Sequence, residues 1–211
     1  ARLGGGDISA NPRLRAAVSA GKSNNMPADN IDRAIKKGTG ELEGVNYEEN
    51  LYEGYGPAGV AVLVETVTDN KTRTVADVRH LFNKHGGSLA EPNAVAWQFD
   101  RVGLISVEAE GQDEETLMMQ ALESGASDFS SEEDMFIIQT SSEDLFTVVQ
   151  SLEDAGISSK ESNLSYMAQN MMDLEADKVG SVLKLLDALD DCDDVQQVHT
   201  NANIPDSALE D

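Results

Sequence analysis

GYGPAGVAVLVETVT, residues Gly54–Thr68, sets a turn broken by glycine and proline against the longest β-prone apolar run in the chain. Val60, Val62 and Val64 alternate with Ala61, Leu63 and Glu65, which sends one set of side chains to each face of a sheet. A helix capped at Asn70 is expected over residues 70–85, with Val75, Val78 and Phe82 on its apolar side. Strands are expected over residues 94–99 and 104–107, joined by a short turn in which Gly103 takes a positive φ. This β-α-β-β order lacks one helix and one strand of a ferredoxin-like domain.

The missing pair is found near the C-terminus. Val179, Val182, Leu183, Leu186 and Leu189 recur at helical spacing over residues 177–190, and residues 195–200 read as a strand. If that pair returns to the central sheet, the segment between is an insertion; three modules in a row is the other arrangement the pattern permits. Within it, helices are expected over residues 113–125 and 142–155, and strands over residues 135–140 and 163–169. Before the central run, residues 41–53 read as a connector. Two short helices precede it, one opened by Asn11-Pro12 and ended at Gly21, the other running from near Pro27 to Gly38. Residues 1–10 are Gly-rich and read as a linker, and the tail after Pro205 reads as frayed. The expected fold class is α+β. A small helical domain (residues 1–45) precedes a central ferredoxin-like α/β domain (46–110 with 171–205), into which an acidic α/β domain (111–170) is inserted.

The formal net charge of -24 would by itself argue against a polyanionic partner, but its distribution does not. Residues 1–44 hold seven Lys/Arg against five acids, a balance of +2, whereas residues 45–211 hold eight against 34, a balance of -26. A polyanion would therefore bind at the front. The single cysteine, Cys192, permits no internal disulfide and fits a reducing compartment. There is no apolar run of the roughly 18 residues needed to span a membrane. The chain starts at Ala1 without a methionine, which leaves room for a preceding segment such as a basic arm or targeting peptide.

Gly54-x-Gly56-x-x-Gly59 has the form of a dinucleotide fingerprint but precedes a strand and contains Pro57, so it is read as a structural turn. His80 and His85 lie five residues apart, a poor helical spacing for one metal ion, and Cys192 in DDCDD is read as part of a solvated acidic loop. No nucleophile elbow, phosphate loop or HExxH pattern occurs; no catalytic residue, metal or cofactor is assigned, and the chain is read as non-enzymatic. Met118, Met119, Met135, Met167, Met171 and Met172 are concentrated in the acidic half. Methionine fills cores by default, but the adjacent pairs cannot all point inward, and an adaptable protein-binding surface is the sharper reading. The chief functional candidate is the basic helix face of Arg33, Lys36 and Lys37, with Arg13, Arg15 and Lys22 nearby. A second basic set, Lys71, Arg73, Arg79 and Lys84, lies on the central helix. Such groups position a nucleic acid by its phosphates without reading its sequence.

Three segments carry a family resemblance: NMPADNIDRAIKKGTGE (25–41), YEGYGPAGVAVLVETVTDNKTRTVADVRHLFNKHGG (52–87) and SLAEPNAVAWQFDRVG (88–103). The chain resembles the YebC/PmpR family over essentially its whole length. The resemblance implies an N-terminal helical domain and two α/β domains around a cleft, and a non-enzymatic cytoplasmic protein. It further implies a DNA-binding transcriptional regulator or, as in some members, a ribosome-associated translational activator that contacts rRNA. It also implies a Lys/Arg-rich segment ahead of Ala1, and it points to Arg33, Lys36, Lys37, Lys71, Arg73, Arg79 and Lys84 as nucleic-acid contacts. A protein partner at the acidic, methionine-bearing lobe is expected beside them. A small-molecule sensor using the cleft is a third class of reading.

Overall fold

The computed structural model describes residues 1–2, 4–41, 47–132 and 134–205; the expected frayed tail and residues 42–46 of the expected connector lie outside the described residues. In chain order come helices α1 (Pro12–Ser23) and α2 (Ala28–Thr39), then strands β1 (Glu48–Tyr55) and β2 (Ala61–Thr68). Helix α3 (Lys71–Lys84) and strands β3 (Ser88–Leu89) and β4 (Phe99–Glu108) follow. Next are α4 (Glu114–Glu123), β5 (Ala126–Glu132), β6 (Met135–Ser141), α5 (Leu145–Asp154) and β7 (Glu161–Ala168). The last elements are β8 (Met172–Asp173), α6 (Ala176–Asp190), β9 (Val195–Thr200) and β10 (Ala202–Asn203). The fold is α+β and multi-domain, and it separates into two compact units, Asn46–Asp100 with Tyr166–Asp211, and Ala1–Val45 with Arg101–Ser165.

In the first of these units the sheet order is β3-β1-β2-β9, with every pairing antiparallel. The alternation of β2 is used on both faces. Val60, Val62 and Val64 pack with Val78 and Phe82 of α3 and with Val182, Leu185 and Leu189 of α6. Ala61 and Leu63 pack with Val95 and Phe99 on the other side. A strand buried on both faces between two neighbours is the natural centre of such a sheet. Asn70 caps α3 as expected, its side chain accepting from the Arg73 N–H at 3.1 Å. The glycine-rich Gly54–Gly59 stretch is the end of β1 and the hairpin turn into β2, with Ala58 and Gly59 at positive φ.

Two expectations about this sheet are corrected. The segment read as a connector contains most of β1, which pairs with β2 along its whole length, from Glu48 opposite Thr68 to Tyr55 opposite Ala61. The expected strands 94–99 and 104–107 with a turn between them are instead a 3-10 turn at Ala96–Gln98 and one unbroken ten-residue strand, β4. Gly103 is not in the left-handed region. It sits within β4 because a Cβ there would run into Thr140 Oγ1 and Leu145. The central sheet is thus completed by β1, β3 and β9, with α6 packed on it, and residues 104–107 belong to the other sheet.

In the second unit the sheet order is β5-β6-β4-β7. Ile105, Val107, Phe136 and Ile138 meet Leu117 and Ala121 of α4 and Leu145, Val148 and Leu152 of α5. Strand β5 lies outside the sequence-based expectation: its residues ASDFSSE are nearly all polar, as befits a strand at the sheet edge. The same unit holds the helical pair α1 and α2, joined by Leu14, Val18 and Ile31 with Ile35 against them. Residues 4–10 are not a loose linker. Arg15 donates to the carbonyls of Ile8 (3.2 Å) and Ser9 (2.8 Å), and Asn11 donates to that of Gly5 (2.8 Å). Both helices also run past their expected stops. Helix α1 ends at the Asn24–Asn25 turn, where Asn25 has φ 57°, and α2 ends at Gly40, whose φ of 80° is the left-handed conformation favoured after a helix C-terminus.

Candidate nucleic-acid interface

Helix α2 turns Ile31 and Ile35 toward α1, and the 3.6-residue repeat then sends Arg33, Lys36 and Lys37 to the opposite side. All three are exposed. Asp29 and Asp32 stand one turn ahead of Arg33 and Lys36, yet among the described residues none of the three cations forms an ion pair. The lysines also lie in the last turn, where they complement the helix dipole. Lys22 is exposed in the last turn of α1 and is likewise without an ion pair among the described residues. Arg13 is exposed on α1. Arg15 is exposed too, but its donors hold residues 8 and 9.

On α3, Lys71, Arg79 and Lys84 are exposed and show no ion pair among the described residues. Arg73 is different. Its guanidinium donates to Asp194 at 2.8 and 2.9 Å and to Asp69 at 3.0 Å, while Asp194 also accepts from the hydroxyls of Thr74 (2.7 Å) and Thr68 (3.2 Å). Burial would raise the Asp194 carboxyl, but the hydrogen bonds from Thr74, Arg73 and Thr68 outweigh it and hold the group below the ordinary carboxylate range. Arg73 therefore ties the start of α3 to the α6–β9 loop, and its donors are engaged inside the protein.

Sequence reasoning overlooked Glu53. It is buried in β1, and its carboxylate accepts from the backbone N–H groups of Asn93 (2.6 Å), Val95 (2.8 Å) and Ala96 (2.7 Å). These bonds fix the loop that presents Trp97, the only tryptophan, at 69% exposure. The Trp97 Nε1–H and the Tyr55 hydroxyl both donate to the Ala94 carbonyl, at 3.1 and 3.2 Å. An acid this local in effect has no periodic signature; only an isolated glutamate amid an apolar face would have hinted at it.

Asp77, His80, Asp191 and Cys192 line a shallow groove with Leu81 and Ala188. Among the described residues no three His, Cys, Asp or Glu side chains gather as a metal site, and no helix is long and apolar enough to cross a membrane.

Comparison with known proteins gives a consistent result. Residues 47–202 match the family model described as TACO1/YebC second and third domain, and residues 1–41 match the TACO1/YebC N-terminal domain. A relative from Desulfosudis oleivorans, named "Probable transcriptional regulatory protein", is 54% identical over 210 residues, covering 100% of this chain and 85% of its own. A relative of the same name from Desulfatibacillum aliphaticivorans is 53% identical over 209 residues, covering 99% of this chain and 85% of its own. The crystal structure of a conserved hypothetical protein from Aquifex aeolicus superposes with a TM-score of 0.91 at 45% identity, covering 97% of this chain and 84% of that one.

Proposed function

This chain belongs to the TACO1/YebC family, and from that premise we propose that it is a non-enzymatic, cytoplasmic regulator that binds nucleic acid through the exposed face of α2. The observation that carries the reading is the grouping of Arg33, Lys36 and Lys37 on one exposed helix face without an internal carboxylate partner among the described residues. Lys22 extends the basic surface, and Lys71, Arg79 and Lys84 form a second set on α3. Arg13, and Arg15 through its charge alone, add to the cationic character of the front. The relatives' names favour transcription and hence duplex DNA. Because phosphate contacts do not read bases, an RNA duplex, as in rRNA, satisfies the same face and is the second reading.

The test is a gel-shift series with the full-length protein, a 20-base-pair DNA duplex and its RNA counterpart. With three phosphate contacts, the slope of log affinity against log salt is expected to be roughly -3, and Lys36→Glu with Lys37→Glu removes binding. Preference for the RNA duplex selects the translational reading. Salt-insensitive binding, or none to either duplex, removes both.

A further inference from the structure

Between Arg101 and Lys160 the chain holds no Lys, Arg or His and 14 Asp or Glu residues. Within this stretch α4 has two apolar faces. Leu117 and Ala121 are buried in the core, while Met118, Met119 and Leu122 remain 36%, 55% and 47% exposed. With Glu115 they occupy the i, i+3, i+4, i+7 positions of one helix face, so the stripe runs about 10 Å, or two turns. Asp113 at the N-cap and Glu114 and Glu123 on the helix border it. Partly exposed methionine and leucine at adjacent positions cost solvation, but they make an adaptable contact surface.

We propose that this face of α4 docks a cationic amphipathic helix of a partner protein. Charge decides between the possible occupants. A second copy of this chain meeting it face to face would bring the same acidic stretch to the contact, and nucleic acid or an anionic lipid surface would add further negative charge. A helix with leucines on one face and lysines flanking them meets the methionines with the first and the acids with the second. The proposal is independent of the reading of α2.

The probe is a synthetic 16-residue helix of leucine and lysine, added to full-length protein carrying 13C-methyl methionine. The chain's seven methionines make each methyl signal assignable. The expected result is that the Met118 and Met119 methyls shift while that of Met26 does not. Affinity falls about tenfold in a Met118→Ser, Met119→Ser, Leu122→Ser variant, and a peptide with glutamate for lysine does not bind. Met119→Ser alone, at the most exposed position, gives a smaller loss in the same direction and covers the case where the triple variant misfolds. Shifts confined to other methyls, undiminished affinity in the triple variant and in Met119→Ser, or equal binding of the glutamate peptide each overturn the proposal. So does sedimentation equilibrium showing a dimer that the triple variant lacks, which would assign the face to a second copy.

Discussion

Replacing Glu53 by glutamine keeps the side chain's shape but takes away the charge on which three N–H groups of residues 93–96 converge. The expected cost is about 2 kcal/mol at neutral pH, read by urea unfolding with Trp97 fluorescence as a local reporter. The pH dependence follows from the sign of the shift. Burial raises the Glu53 carboxyl, but the hydrogen bonds from Val95, Asn93, Ala96 and Ala94 prevail and hold it below the ordinary value. A depressed folded-state pKa stabilises above the unfolded value, and that stability is lost as pH falls through the folded one. The gap between wild type and Glu53→Gln should therefore close in acid; a constant gap would deny the carboxylate its role. Such a residue was not legible beforehand because its partners lie 40 to 43 positions away. The same holds for Arg73, read as one of the basic set on the central helix, whose principal partner Asp194 lies 121 residues further on. Lysines without an ion pair among the described residues, such as Lys36 and Lys37, were legible because helical spacing alone settles which way they face.

At the scale of elements, β2 was readable because its alternation feeds two apolar clusters, and α6 and β9 because their patterns are strong and local. Strand β1 was not. Its sequence EENLYEGY carries three glutamates and a glycine, and its place in the sheet comes from pairing with β2 and β3. Gly54 shows why the composition is unusual. A Cβ there would lie 2.5 Å from the Phe82 ring and 2.9 Å from the Ser88 carbonyl. Gly54→Ala should therefore destabilise by about 1–3 kcal/mol through forced displacement of a core ring and a neighbouring strand. Thermal unfolding by circular dichroism checks this; an unchanged midpoint would mean that β3 moves aside without cost.

Across the whole molecule, the charge contrast between front and remainder was visible in the sequence and has two opposing consequences. A chain with a net charge of -24 repels itself, and added salt screens that repulsion. Raising NaCl from 0.05 to 0.5 M is thus expected to raise the melting temperature by a few degrees while weakening duplex binding by roughly 500-fold for three phosphate contacts. Differential scanning fluorimetry and the gel-shift series measure the two on the same samples, and a fall in melting temperature with salt would contradict the first. The place of β9 beside β2 was legible because the final helix and strand have clear patterns; the place of β5 was not, since a polar edge strand has little to distinguish it from a loop.

The cation-free stretch around α4 also governs how the protein responds to common reagents. Trypsin finds no cleavage point between Arg101 and Lys160, so residues 102–160 leave a digest as one fragment of 59 residues. Amine-directed cross-linkers reach that fragment only through Lys160. A partner seated on the methionine stripe would go unseen in a lysine-based interaction map, and would come into view with carboxylate-directed coupling and cleavage after glutamate.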